Sequence, residues 1–79
     1  MKARIVIRLK PGVLDPQGTT IQKALGGLGF PEVRELRVGK VLEFVLDETD
    51  PARARQRLDE MCRRLLANPV VEDHAIELL

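Results

Sequence analysis

The 79-residue chain has no Trp, no Tyr and only two Phe, so aromatics make up 3% of it. A nucleic-acid platform of the base-stacking kind needs aromatics on its central strands. The first apolar stretch offers Ile5, Val6 and Ile7 instead. A single cysteine, Cys62, excludes an internal disulfide framework and the paired thiols of a copper-carrying domain. With one histidine, His74, and no CxxC or HxH spacing, a metal site lacks ligands. The 13 Lys and Arg against 12 Asp and Glu leave a net charge of +1, without the long-range field of a nucleic-acid binder. No apolar run reaches the roughly 18 residues that cross a membrane. Met1-Lys2-Ala3-Arg4 runs straight into charge alternation with no apolar leader, so a cytoplasmic location is expected.

What is there is a globular balance, 44% hydrophobic and 32% charged residues. The length predicts one domain over residues 1–79. Below about 70–80 residues a single core seldom supplies more than a few kcal/mol. With neither disulfide nor metal, oligomerisation is the expected support.

Ala3, Ile5, Ile7 and Leu9 alternate with Arg4, Val6, Arg8 and Lys10, which predicts a half-buried strand stopped by Pro11-Gly12. Asp15-Pro16 is a helix start, an N-cap carboxylate followed by a proline whose missing N–H costs nothing at the first helical position. Ile21, Leu25 and Leu28 follow at helical spacing, and Gly29 is the expected left-handed stop. Gly18, Gly26 and Gly27 weaken this helix by roughly 1 kcal/mol each relative to alanine, so contacts from outside it must hold it. Leu36, Val38, Leu42, Phe44 and Leu46 share one parity around Gly39-Lys40. The spacing predicts a hairpin of strands 32–38 and 40–47; the alternative is one long strand bent at Gly39, its far half leaving the domain to meet a second subunit. Thr49-Asp50-Pro51 starts a second helix with an apolar stripe of Ala54, Leu58, Met61, Cys62, Leu65 and Leu66, supported by the pairs Glu60–Arg64 and Asp59–Arg63 and ended by Asn68-Pro69. Val70–Leu79 reads as the last strand. The order β-α-β-β-α-β predicts an α+β two-layer sandwich, a ferredoxin-like variant with two helices on one face of an antiparallel sheet.

Chemistry-bearing residues have plain explanations. Cys62 lies on the apolar stripe, where burial raises a thiol's pKa. His74 stands alone in a strand, and Asp15 and Asp50 are caps. Gly12, Gly26-Gly27-Leu28-Gly29 and Gly39-Lys40 match neither a phosphate-binding loop nor a dinucleotide fingerprint. The outer sheet face, with Arg4, Val6, Arg8 and Lys10 beside Val41, Glu43, Val45 and Asp47, mixes valines with opposite charges as an interface does.

Four stretches occur in order along nearly the whole chain: Val13-Leu14-Asp15-Pro16-Gln17-Gly18, Ala24-Leu25 with Leu28-Gly29-Phe30, Val38-Gly39-Lys40, and Cys62-Arg63-Arg64-Leu65-Leu66-Ala67-Asn68-Pro69-Val70-Val71-Glu72-Asp73. Together they resemble the PurS family, the small subunit of phosphoribosylformylglycinamidine synthase. The resemblance implies a non-catalytic role in purine biosynthesis. A glutaminase subunit releases ammonia from glutamine, and a large synthetase subunit uses ATP to install it on formylglycinamide ribonucleotide. The small subunit, a homodimer or dimer of dimers, bridges the two and assists ammonia transfer. ATP and magnesium are expected only in the synthetase, with no cofactor in this chain and no nucleic-acid or membrane partner. Asp15, Gly18, Gly39, Lys40 and Asn68 are the candidate contact or contact-shaping residues, although caps, a first-turn glycine, a turn pair and a helix stop explain each structurally. Lys40 stands out because turn geometry does not demand a lysine. The competing expectation is a stand-alone ferredoxin-like module that senses a small ligand.

Overall fold

The computed structural model describes residues 1–79. Its order is β1 (Lys2–Leu9), α1 (Pro16–Gly27), β2 (Gly39–Val45), α2 (Pro51–Met61), a π-helical turn (Cys62–Leu66) and β3 (Glu72–Leu78). The three strands form one antiparallel sheet in the order β2-β1-β3. Alternation in β1 decides the two faces. Ala3, Ile5 and Ile7 are 0–1% exposed and form the core with Leu58 and Cys62. Register then places Phe44, Leu42 and Lys40 on that same face from β2, and Leu78, Ile76 and His74 from β3. The opposite face carries Arg4 between Glu43 and Glu77, and Val6 between Val41 and Ala75.

The α+β, ferredoxin-like class holds, with β1 central between two antiparallel neighbours. The expected hairpin does not form: residues 32–38 make no strand, and β2 begins at Gly39. The segment finds its backbone partners in side chains from α1. Asp15 Oδ2 accepts from the Val38 amide at 2.7 Å, and Gln22 Nε2 donates to the carbonyls of Val33 and Arg34 at 3.3 and 2.9 Å. A backbone satisfied in this way has no need of a neighbouring strand. The outcome lies nearer the bent-strand alternative, with the far half departing from the sheet at Gly39.

Helix α1 departs with it. The packed pairs of elements are β1 with β2, β1 with β3, α2 with its π turn and α2 with β3; α1 has at most marginal contact with any of them. Leu28 is 74% exposed, Ile21 is exposed and Leu25 half-buried. Helix and returning segment form an arm rooted at the Gly39 end of the sheet. The molecule measures 48 × 25 × 15 Å, with a radius of gyration of 15.9 Å. A compact chain of this length has about 12 Å.

Helix α2 begins as its sequence predicts. Asp50 caps the Ala52 amide at 3.1 Å, Pro51 takes the first position, and the Asp59–Arg63 and Glu60–Arg64 pairs close at 2.9 and 3.1 Å. The stripe needs one correction. The Ala67 amide reaches back five residues to the Cys62 carbonyl at 3.0 Å, a π turn that adds a residue to the last turn. Leu66 and Ala67 therefore pack toward the core, and Leu65 swings out to 83% exposure. Strand β3 likewise starts at Glu72 rather than Val70, because Asn68 holds the preceding turn through Val71 and Glu72.

Candidate subunit-contact site

Four of the five residues singled out in the sequence converge where the arm meets the sheet. Asp15 is the centre. As N-cap of α1 it accepts from the Gly18 amide at 2.8 Å with Oδ1, while Oδ2 takes the Val38 amide. One carboxylate thus joins the helix start to the residue before β2. It is only 8% exposed. The Val38 hydrogen bond, then the Gly18 bond, and last the nearby Arg37 charge hold its carboxyl below the ordinary carboxylate value, against burial, which opposes them. It is ionised at neutral pH.

Gly18 and Gly39 are close-approach positions. A Cβ at Gly18 would collide with the Leu36 carbonyl oxygen, and one at Gly39 would come within 2.7 Å of the Ile7 carbonyl oxygen. Only glycine lets α1 lie against the returning segment and β2 start against β1. Lys40 follows on the helix side of the sheet, paired in register with Ile7, and its side chain has no carboxylate partner. Asp15, Gly39 and Lys40 share a hollow of about 250 Å³ with Glu72. Asn68 sits at the same end of the sheet but outside that hollow, linked to it only through Glu72, whose Oε1 accepts from the Asn68 amide at 2.7 Å. Its own Oδ1 accepts from Val70.

Two further surfaces carry weight that the sequence did not reveal. Arg37 lies in the segment expected to be a strand, where nothing in the periodicity marks it; its Nη2 donates to the Lys10 carbonyl at 3.2 Å. A groove of about 420 Å³ runs between β2 and the end of α2, with Phe44, Met61, Leu65 and Leu66 in its walls. The signal for that groove was present as the α2 stripe, but its outward turn depends on the π geometry.

The remaining chemistry-bearing side chains are occupied. His74 Nε2 lies 2.8 Å from Asp59 Oδ1, tying β3 to α2. The His74 hydrogen bond first, and then the Arg63 charge, lower the Asp59 carboxyl. Cys62 is fully buried, and burial pushes its thiol up, with Asp59 adding to the effect. No cluster of three His, Cys, Asp or Glu side chains is placed to hold a metal ion, and no helix is long and apolar enough to cross a membrane. The site thus belongs to a small α+β domain whose one thiol is buried, whose one imidazole is engaged by a carboxylate, and whose first helix stands off its own sheet.

Comparison with known proteins agrees. A family model described as PurS, phosphoribosylformylglycinamidine (FGAM) synthase, matches residues 2–79. The chain is 47% identical over 75 residues to phosphoribosylformylglycinamidine synthase subunit PurS of Synechocystis, covering 95% of this chain and 75% of that one. It superposes on the crystal structure of Methanocaldococcus jannaschii PurS with a TM-score of 0.87 at 43% identity, covering 96% and 92% of the two chains. A chain in the structure of PurLQS from Thermotoga maritima matches with a TM-score of 0.89 at 31% identity, covering 99% and 95%. The chain belongs to the PurS family.

Proposed function

We propose that this chain is the small, non-catalytic subunit of phosphoribosylformylglycinamidine synthase, and that it acts as a homodimer that clamps the glutaminase and the large synthetase subunits together in the cytoplasm. ATP and magnesium belong to the synthetase; this chain contributes contacts. The observation that carries the reading is the arm. Helix α1 leaves Ile21 and Leu28 exposed, while α2 packs with β3 and leaves the Phe44–Leu65 groove open beside β2. A helix without a surface and a surface without a helix on the same chain are what a two-fold dimer satisfies reciprocally. The glycine-weakened α1 is then held by the second copy. Family membership supports the identity of the larger partners.

The physical purpose of such a clamp follows from ammonia itself. Ammonia is nucleophilic only as the neutral base and is protonated in bulk water at neutral pH. A rigid brace that keeps two active sites in register, with water excluded between them, preserves the reactive form. Positioning of this kind needs shape and contacts rather than catalytic side chains.

The test is reconstitution. With glutaminase and synthetase present, formylglycinamidine ribonucleotide formation should require this chain when glutamine is the nitrogen source, and should not require it when ammonium salt is supplied. Equal rates from glutamine with and without the chain would reject the reading.

A further inference from the structure

Six of the 13 Lys and Arg side chains form salt bridges. Of the seven that do not, Arg8, Arg37 and Lys40 line a single cleft of about 540 Å³ beside the root of the arm, floored by Val6 and Val41. Glu35 is the one acid in the lining, so the cleft keeps an excess of two positive charges. The nearby Asp15 offsets part of that excess through its attraction to Arg37, but both of its oxygens are taken by the Gly18 and Val38 amides, and it forms no salt bridge with any of the three cations. Arg37 is held in place by its bond to the Lys10 carbonyl, which reduces the entropy lost when it meets an anion.

The size is that of a ligand site, but the exposure is not. Arg8, Glu35, Arg37, Lys40 and Val41 are all exposed, whereas a small-molecule pocket buries 70–90% of its ligand. A protein segment that lays carboxylates over the cations and an apolar side chain on Val6 and Val41 would cover the cleft from outside. Val6 and Val41 belong to the sheet face opposite α2, away from the groove that the dimer uses. We infer that this cleft is where one of the two larger subunits docks an acidic segment, with Arg8 and Arg37 as the principal contacts and Lys40 at the edge; the inference rests on the bridging role proposed above.

The test titrates the full-length chain against purified glutaminase and, separately, purified synthetase, at low and at physiological ionic strength. The expected result is that Arg8→Glu/Arg37→Glu lowers affinity for one subunit about tenfold or more and flattens its salt dependence. Arg55→Glu, an equal charge change per site on α2, should have no such effect. If the reversed pair fails to fold by circular dichroism, Arg8→Gln/Arg37→Gln replaces it, with the same loss expected. Light scattering of each variant should give the wild-type mass. Undiminished binding of the double variant to both subunits, or a loss of homo-oligomer mass that puts the acidic group on a second copy, overturns the docking cleft while leaving the bridging role standing. Failure of the wild type to bind either subunit sinks both.

Discussion

At the scale of single residues, Asp15 does the most for its size. Its two oxygens satisfy an orphan amide of the first helical turn and an amide 23 residues away, so it is both a cap and a cross-link. Asparagine in its place keeps one acceptor but turns an NH2 toward one of the two amides. Asp15→Asn should therefore lower the melting temperature by about 4–8 °C, the scale for loss of a cap in a domain of this size, when measured by circular dichroism at fixed protein concentration. The carboxyl is held below its ordinary value of 3.8. A depressed folded-state pKa stabilises fully above the unfolded value and is lost as the pH falls through the folded one. Asp59 and Glu48 are lowered in the same direction, Glu48 chiefly by the amides of Asp50 and Thr49. Stability should accordingly be retained from neutrality down to about pH 4.5 and fall below that, and the fall should be shallower in Asp15→Asn than in the wild type. Identical acid-unfolding slopes would show that Asp15 is not part of the linkage.

At the scale of elements, α1 is a helix whose glycines do different things. Gly18 is needed where α1 crosses Leu36, but a Cβ at Gly26 meets nothing within 4 Å. The two substitutions should separate in sign. Gly26→Ala should stabilise by about 0.4–1 kcal/mol, through propensity and a less disordered unfolded chain. Gly18→Ala gains the same propensity yet should destabilise, because the Leu36 carbonyl must move and the Asp15–Val38 link with it. Urea unfolding of both variants checks this, and stabilisation by Gly18→Ala would mean that the arm is not seated as described. In α2 the π turn has the opposite consequence. By adding a residue it retires Leu65 from the core and builds one wall of the groove.

At the scale of the whole molecule, the radius of gyration of 15.9 Å records an extended shape, wider than a compact chain of this length. The sheet and α2 make a small core of Ala3, Ile5, Ile7, Leu58 and Cys62, while the arm stands beyond it with its apolar stripe uncovered. If a second copy covers that stripe, Ile21→Glu/Leu28→Glu should bring the mass in solution to that of one chain. The β-sheet signal should be kept, because the core contains neither residue. A double variant of unchanged mass would locate the dimer contact elsewhere. Val6 and Val41 of the basic cleft lie on the sheet face opposite the core, so the proposed dimer contact and the proposed docking of a larger subunit would use separate surfaces, and Ile21→Glu/Leu28→Glu should leave the latter intact.

The sequence by itself determined whatever depends on neighbours along the chain. Alternation at Ala3, Ile5 and Ile7, the Asp15-Pro16 and Asp50-Pro51 helix starts, the stop at Gly29 (φ 99°) and the acid-first ion pairs of α2 are all local physics, and all are realised. The motif spacing that carries the family is equally a property of the chain. Tertiary structure alone decided where residues 32–38 go, because an alternating segment reads the same whether its backbone partners are a strand, the Asp15 and Gln22 side chains, or another molecule. It also decided that Leu65 faces out, since a single extra residue in the last turn rotates the stripe without changing its composition. For the same reason the grouping of Arg8, Arg37 and Lys40 was invisible: three cations spread over 33 positions become neighbours only when β2 folds back against β1.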